Sequence, residues 1–138
     1  MSHTLRFGVS LDGTLLKRFD RLNRKKGYAN RSEAIRDLIR EELVKQEWID
    51  ESVIAGTITL VYDHHTRGLT DKLVEIQHDH YNIIISSQHV HIDHDNCLEI
   101  IIVKGAPKQM EKLSFQLKSA RGIKHCSLTM ATTGKNIN

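Results

Sequence analysis

Apolar and polar positions alternate at the start of the chain. Leu5, Phe7, Val9 and Leu11 fall on one side of an extended backbone, and Arg6, Gly8 and Ser10 fall on the other. A period of two predicts a strand over Leu5 to Leu11 with one buried face. Asp12 is placed to cap the helix that follows. Leu15, Leu16, Phe19 and Leu22 then recur at helical spacing up to Lys25-Lys26-Gly27, where cations in the last turn and a glycine beyond it mark the end. Asn30, with Glu33 three residues on, makes a capping box for a second helix, whose apolar stripe is Ile35, Leu38, Ile39 and Leu43. A unit of about 45 residues cannot readily bury a core alone, and a lone strand leaves its own edges unpaired. Two copies pairing their strands into an antiparallel ribbon meet both needs, so the pattern predicts a dimer.

The pattern changes after a short polar connection containing Trp48. Thr57 to Tyr62 is β-branched and strand-like, and Leu69 to Tyr81 suits a helix with Leu69, Leu73 and Ile76 on one face. Ile83 to Ser87 and Val90 to Ile92 suit strand, ended by the turn Asp93-His94-Asp95-Asn96, and Leu98 to Val103 is an apolar β-rich run. Ala106 to Ala120 reads as a helix with Pro107 tolerated in its first turn, and Ile123 to Met130 as a last strand. The order βαββαβ is the ferredoxin-like pattern. The predicted class is α+β: a βαα module over residues 1–46, a linker over 47–56 and a βαββαβ domain over 57–138.

Charge sharpens the division. Residues 1–40 hold ten Lys/Arg against four acids, a surplus of +6 in a chain whose net charge is +3. A basic N-terminal third suits a polyanionic partner. A two-stranded ribbon fits the major groove of B-form DNA, where Arg6 can donate to guanine, Ser10 can donate or accept, and Gly8 offers no side chain. Backbone N–H groups around Arg31 and Ser32 open the second helix and favour a phosphate. The chain has no run of eighteen apolar residues and no secretory layout at its start. Its two cysteines, Cys97 and Cys126, are too few for a disulfide framework. A cytoplasmic protein without membrane contact is expected.

Histidine is as uneven as charge: seven of nine lie between residues 64 and 94. His89-Val90-His91 places two imidazoles on one face of a strand. The turn that follows brings Cys97 back near His91. Two imidazoles with a thiolate suit zinc, copper or nickel and exclude magnesium or calcium. A fourth protein ligand would close the site. His78, at the end of the first helix of this domain, is the best candidate and can come from another subunit. His64, His65, His80 and His94 read as solvated, His3 and His125 have no partner in sequence, and Cys126 reads as a small buried apolar residue.

Two stretches carry a family resemblance. Tyr28-Ala29-Asn30-Arg31-Ser32-Glu33-Ala34-Ile35-Arg36-Asp37 resembles the helix entry of ribbon-helix-helix repressors. Gln77-His78, His89-Val90-His91 and His94-Asp95-Asn96-Cys97-Leu98-Glu99, in this order and spacing, resemble the nickel-responsive transcriptional regulators over nearly the whole chain. The resemblance implies an ACT-like second domain forming a tetrameric core, a dimer of dimers flanked by ribbon-helix-helix pairs. It implies one Ni(II) per subunit, square-planar, held by His89, His91 and Cys97 of one subunit and His78 of its neighbour. It also implies a second cation near Glu33 and Asp37, and operator DNA as the partner of a repressor of nickel uptake. Gly8 departs from the Ser or Thr frequent at that place in the family and leaves the base readout there unassigned.

Three other classes are open to the residues. A metal-independent repressor could bind an amino acid in its second domain, and a copper or zinc sensor could use the same donors. A metalloenzyme would need a general base beside an open coordination position, and none is evident, so no enzyme is expected.

Overall fold

The computed structural model of the chain describes residues 3–138. It divides into two compact units, one ending at Glu41 and the other spanning Glu42–Asn138.

In the first unit, α1 (Gly13–Lys26) begins where the Asp12 carboxylate accepts from the N–H groups of Thr14 and Leu15, at 3.0 and 3.3 Å. It ends at Gly27, whose φ of 83° is open to glycine at no steric cost. α2 (Arg31–Ile49), whose residues from Glu42 onward belong to the second unit, begins where Asn30 Oδ1 accepts from Glu33 N–H at 2.9 Å. Residues 5–11 form no strand ladder, in contrast to the period-two expectation. The reason is physical: a ladder needs a second strand, and among the described residues the first unit of one chain supplies none beside this segment. Leu5, Phe7 and Val9 are accordingly 86%, 72% and 61% exposed, and Leu38, Ile39 and Leu43 on α2 are also exposed.

The second unit is a four-stranded sheet with two helices on one face. Its elements are β1 (Ile54–Asp63), α3 (Leu69–Asp79), β2 (Ile84–His91), β3 (Asn96–Gly105), α4 (Pro107–Ser119) and β4 (Ile123–Met130). The strand order is β2-β3-β1-β4, antiparallel throughout. Ile58, Leu60, Ile101 and Val103 face Leu73 of α3 and Met110, Leu113 and Leu117 of α4 in the core. Only four residues, 50–53, separate α2 from β1. β2 is one edge strand that joins the two segments read from the sequence, with Gln88 and His89 carrying it from Ser87 to Val90. Among the described residues, no helix is long and apolar enough to cross a membrane.

Candidate metal centre and nucleic-acid interface

The site is built by strand register. β2 and β3 pair so that His91 stands opposite Cys97 and His89 opposite Glu99. Directly opposed residues in a ladder put their side chains on the same face. Cys97 also pairs with Tyr62, and Asn96 with Asp63, at the end of β1. The chain leaves β1 there as His64-His65, so those imidazoles arrive at the same corner of the sheet.

The result is a donor group of His64, His91 and Cys97, with ligand atoms within 4.8 Å of one another. Cys97 Sγ lies 3.2 Å from His64 Nδ1 and 3.6 Å from His91 Nδ1. The His89 ring stacks on His91 with centroids 5.3 Å apart and stands 6.0 Å from the Tyr62 ring. Cys97 is wholly buried, while His89 and His91 are exposed. Burial pushes the Cys97 thiol above its ordinary value, and the nearby carboxylates of Asp63, Asp93 and Glu99 push it the same way. The thiol is therefore a neutral S–H at neutral pH until a cation displaces the proton. Two borderline nitrogens and one soft sulfur fit a nickel, copper or zinc ion.

Beneath this group, Glu99 is buried but fully engaged. It accepts from the Tyr62 hydroxyl at 2.7 Å and from Gln77 Nε2 at 2.8 Å. Burial first, and then donation to Glu99, raises the Tyr62 phenol above its ordinary range. Gln77 lies on α3 beside His78, which is exposed in the last turn with its ring near Tyr81. His78 is not in the donor group. The chain alone thus brings together His91, Cys97 and, less closely, His89, and leaves His78 facing outward.

His64 is the residue that spacing in the sequence undervalues. Its solvated reading gives way to a half-buried ring against the thiol. His65 lies next to it, its Nδ1 3.1 Å from Asp63 Oδ1 and 3.6 Å from Asp95 Oδ1. Asp63, His64 and His65 form a second group of potential donors. His80 is not free either: its Nε2 lies 2.9 Å from Gln116 Oε1 on α4. Cys126 is half-buried, with Sγ 3.6 Å from the Ser114 carbonyl oxygen.

In the first unit, Arg6, Gly8 and Ser10 are exposed, and a side chain at Gly8 would meet nothing within 4 Å. Arg31 is clamped by Asp20 of α1 through two bonds of 2.9 and 2.8 Å, an interaction that holds the Asp20 carboxyl below its usual range. Ser32 lies in the groove between the N-terminal segment and α2. Glu33 and Asp37 line a small cleft with Tyr28, Arg36 and Arg40. Asp37 accepts there from the Tyr28 hydroxyl at 2.7 Å and from Arg40 at 3.4 Å.

Comparison with known proteins gives the same two-part division. Residues 55–131 match the family model for the NikR C terminal nickel binding domain, and residues 6–46 match that for the ribbon-helix-helix protein, copG family. A protein of Syntrophus aciditrophicus (strain SB) described as a nickel-responsive regulator is 56% identical over 135 residues, covering 98% of each chain. One of the same description from Desulfovibrio desulfuricans is 53% identical over 137 residues, covering 99% of each. Among solved structures, an uncharacterized protein from Thermotoga maritima aligns with a TM-score of 0.50 at 12% identity. That alignment covers 59% of this chain and 99% of the other, and it speaks to fold alone.

Proposed function

The chain belongs to the nickel-responsive regulators, transcriptional regulators that join a DNA-binding ribbon-helix-helix domain to a nickel-binding domain, and from that premise we propose how its own residues carry the function. Ni(II), one per subunit, is held by His89, His91 and Cys97 of one protomer and by His78 of the partner subunit. The observation that carries this reading is the pairing of His91 with Cys97, a buried thiol beneath exposed imidazoles. His78, exposed at the end of α3, is free to complete a neighbour's site rather than its own.

A metal shared between chains links occupancy to assembly. We assign a homotetramer, a dimer of dimers. One support is the sheet face away from α3 and α4, where Leu98 and Ile100 are half-buried and Val90 and Ile102 are 43% and 40% exposed. The N-terminal segments pair into ribbons, with Arg6 and Ser10 reading bases, Gly8 allowing close approach, and Arg31 and Ser32 holding phosphate. Residues 1–46 form the DNA-binding part and 57–138 the nickel-binding and assembly part. Asp37 is already engaged, so a second cation beside Glu33 and Asp37 requires Tyr28 and Arg40 to release it. The protein works in the cytoplasm as a repressor of nickel uptake.

His64 competes with His78 for the last ligand position, because its Nδ1 already lies against the thiol. Nickel titration of His64→Ala and His78→Ala variants, read by nickel–thiolate absorption and by affinity for a nickel-uptake promoter, decides between them. The reading expects His78→Ala to lose nickel-dependent DNA binding and His64→Ala to retain it. The reverse result removes His78 from the ligand set, and equal promoter affinity of the parent protein with and without nickel removes the sensor function.

A further inference from the structure

We propose that Asp93, which the ligand pattern steps over, is a positioning residue for the metal centre: it clamps the β2–β3 turn so that His91 and Cys97 meet in one register, and this clamp sets both nickel affinity and the preference for nickel over zinc. The inference rests on the ligand assignment above.

Five residues, Ile92-Asp93-His94-Asp95-Asn96, separate the two ligands. The first four are exposed, so packing against a core does not fix their path. The order comes from polar bonds converging on one carboxylate. Asp93 Oδ1 accepts from the backbone N–H groups of Asp95 and Asn96 at 2.9 and 2.8 Å, and from Asn96 Nδ2 at 3.2 Å. Oδ2 accepts from Asn96 Nδ2, also at 3.2 Å. An aspartate that takes backbone N–H groups two and three residues ahead substitutes for a backbone turn. The backbone then closes the loop, with Ile92 N–H donating to the Asn96 carbonyl at 2.9 Å.

The turn is also tied across the sheet. Lys124 Nζ, on the far edge strand β4, donates to Asn96 Oδ1 at 2.7 Å. Asp93 thus holds Asn96 from one side and Lys124 holds it from the other, and Asn96 directly precedes Cys97. A slip of one residue in this hairpin would turn Cys97 to the opposite face of the sheet and away from His91. Metals of this class are told apart chiefly by where the donors stand, since their intrinsic affinities follow a common order. A fixed turn fixes donor placement; a loose one lets the same donors rearrange around whichever ion is present.

The test uses the full-length protein under reducing, neutral conditions, titrated separately with nickel and zinc. Nickel–thiolate absorption reports ligation, and melting of the metal-free protein reports folding. Asp93→Ala is expected to lose about ten- to a hundredfold in nickel affinity, the range for residues that orient a ligand, and to lose less for zinc. Asp93→Asn keeps one acceptor oxygen and should fall between Asp93→Ala and the parent. Lys124→Met should narrow the nickel preference in the same direction. If Asp93→Ala does not fold, Asp93→Asn and Lys124→Met carry the test. Parental nickel affinity in the folded variants, or equal losses for both metals, overturns the clamp. Retention of parental nickel affinity by Cys97→Ala instead overturns the ligand assignment beneath it.

Discussion

Cys97 shows how much one residue's surroundings decide. Its thiol is wholly buried, and burial together with three carboxylates raises it above its ordinary value. Two opposite pH trends follow. Without metal, the folded thiol keeps its proton where the unfolded thiol, with a reference value of about 8.5, would lose it. The stability this contributes is present below that pH and falls away above it. With metal, the proton must leave before the sulfur can ligate, so nickel affinity should rise by about tenfold per pH unit below the folded thiol's titration. Urea melts of the metal-free protein and nickel titrations across the same pH range check both signs. In Cys97→Ala both slopes should flatten, and a parental slope in either would assign that trend to another group. The register of His89, His91 and Cys97 was legible from spacing because all three lie on adjacent strands of one hairpin. His64 was not legible in that way, since 33 residues separate it from Cys97. It reaches the thiol only because β1 pairs with β3 and ends at Asp63, beside Asn96, and a local spacing rule carries no information on that pairing.

Elements were legible where one face is buried and one is wet. β1 and β3 alternate in burial almost without a break, and α4 carries Met110, Leu113 and Leu117 inward at helical spacing. β2 is an edge strand with nearly every residue exposed, so its sequence has no burial alternation to read, and the segments 83–87 and 90–92 join there into one strand. The N-terminal stretch is the converse. Its alternation is clear, but the ladder it encodes belongs to two chains. At the turn between α4 and β4, Gly122 has φ of 106°, and an added Cβ would come within 2.8 Å of Thr66 Cγ2 and 3.1 Å of Leu69 Cδ2. Gly122→Ala should therefore destabilise the second unit by about 1–3 kcal/mol through backbone strain, with the contact adding to it. Denaturant unfolding of Gly122→Ala checks this, and parental stability would show that both the strain and the Thr66 contact are accommodated.

For the whole molecule, the exposed Leu5, Phe7 and Val9 make the N-terminal segment unsuited to life as a single copy. Pairing it with a second chain would hide these side chains and would turn Arg6 and Ser10 of both copies to one face, so that the apolar residues and the residues proposed to read DNA would form two sides of one ribbon. If nickel tightens operator binding through the assembly, operator must tighten nickel binding by the same factor, because the coupling is one free energy read from two ends. Phe7→Asp puts a charge into the ribbon's apolar side while leaving His78, His89, His91 and Cys97 untouched. It should abolish specific operator binding and keep parental nickel affinity in the absence of DNA. Nickel titrations of parent and variant, each with and without operator at fixed salt, then test the coupling. The parent's nickel affinity should shift by the factor seen in its DNA titration, and the variant's should not shift at all. An equal shift in Phe7→Asp would mean that operator reaches the metal centre without the ribbon, and the link from subunit-bridging nickel to paired strands would fail.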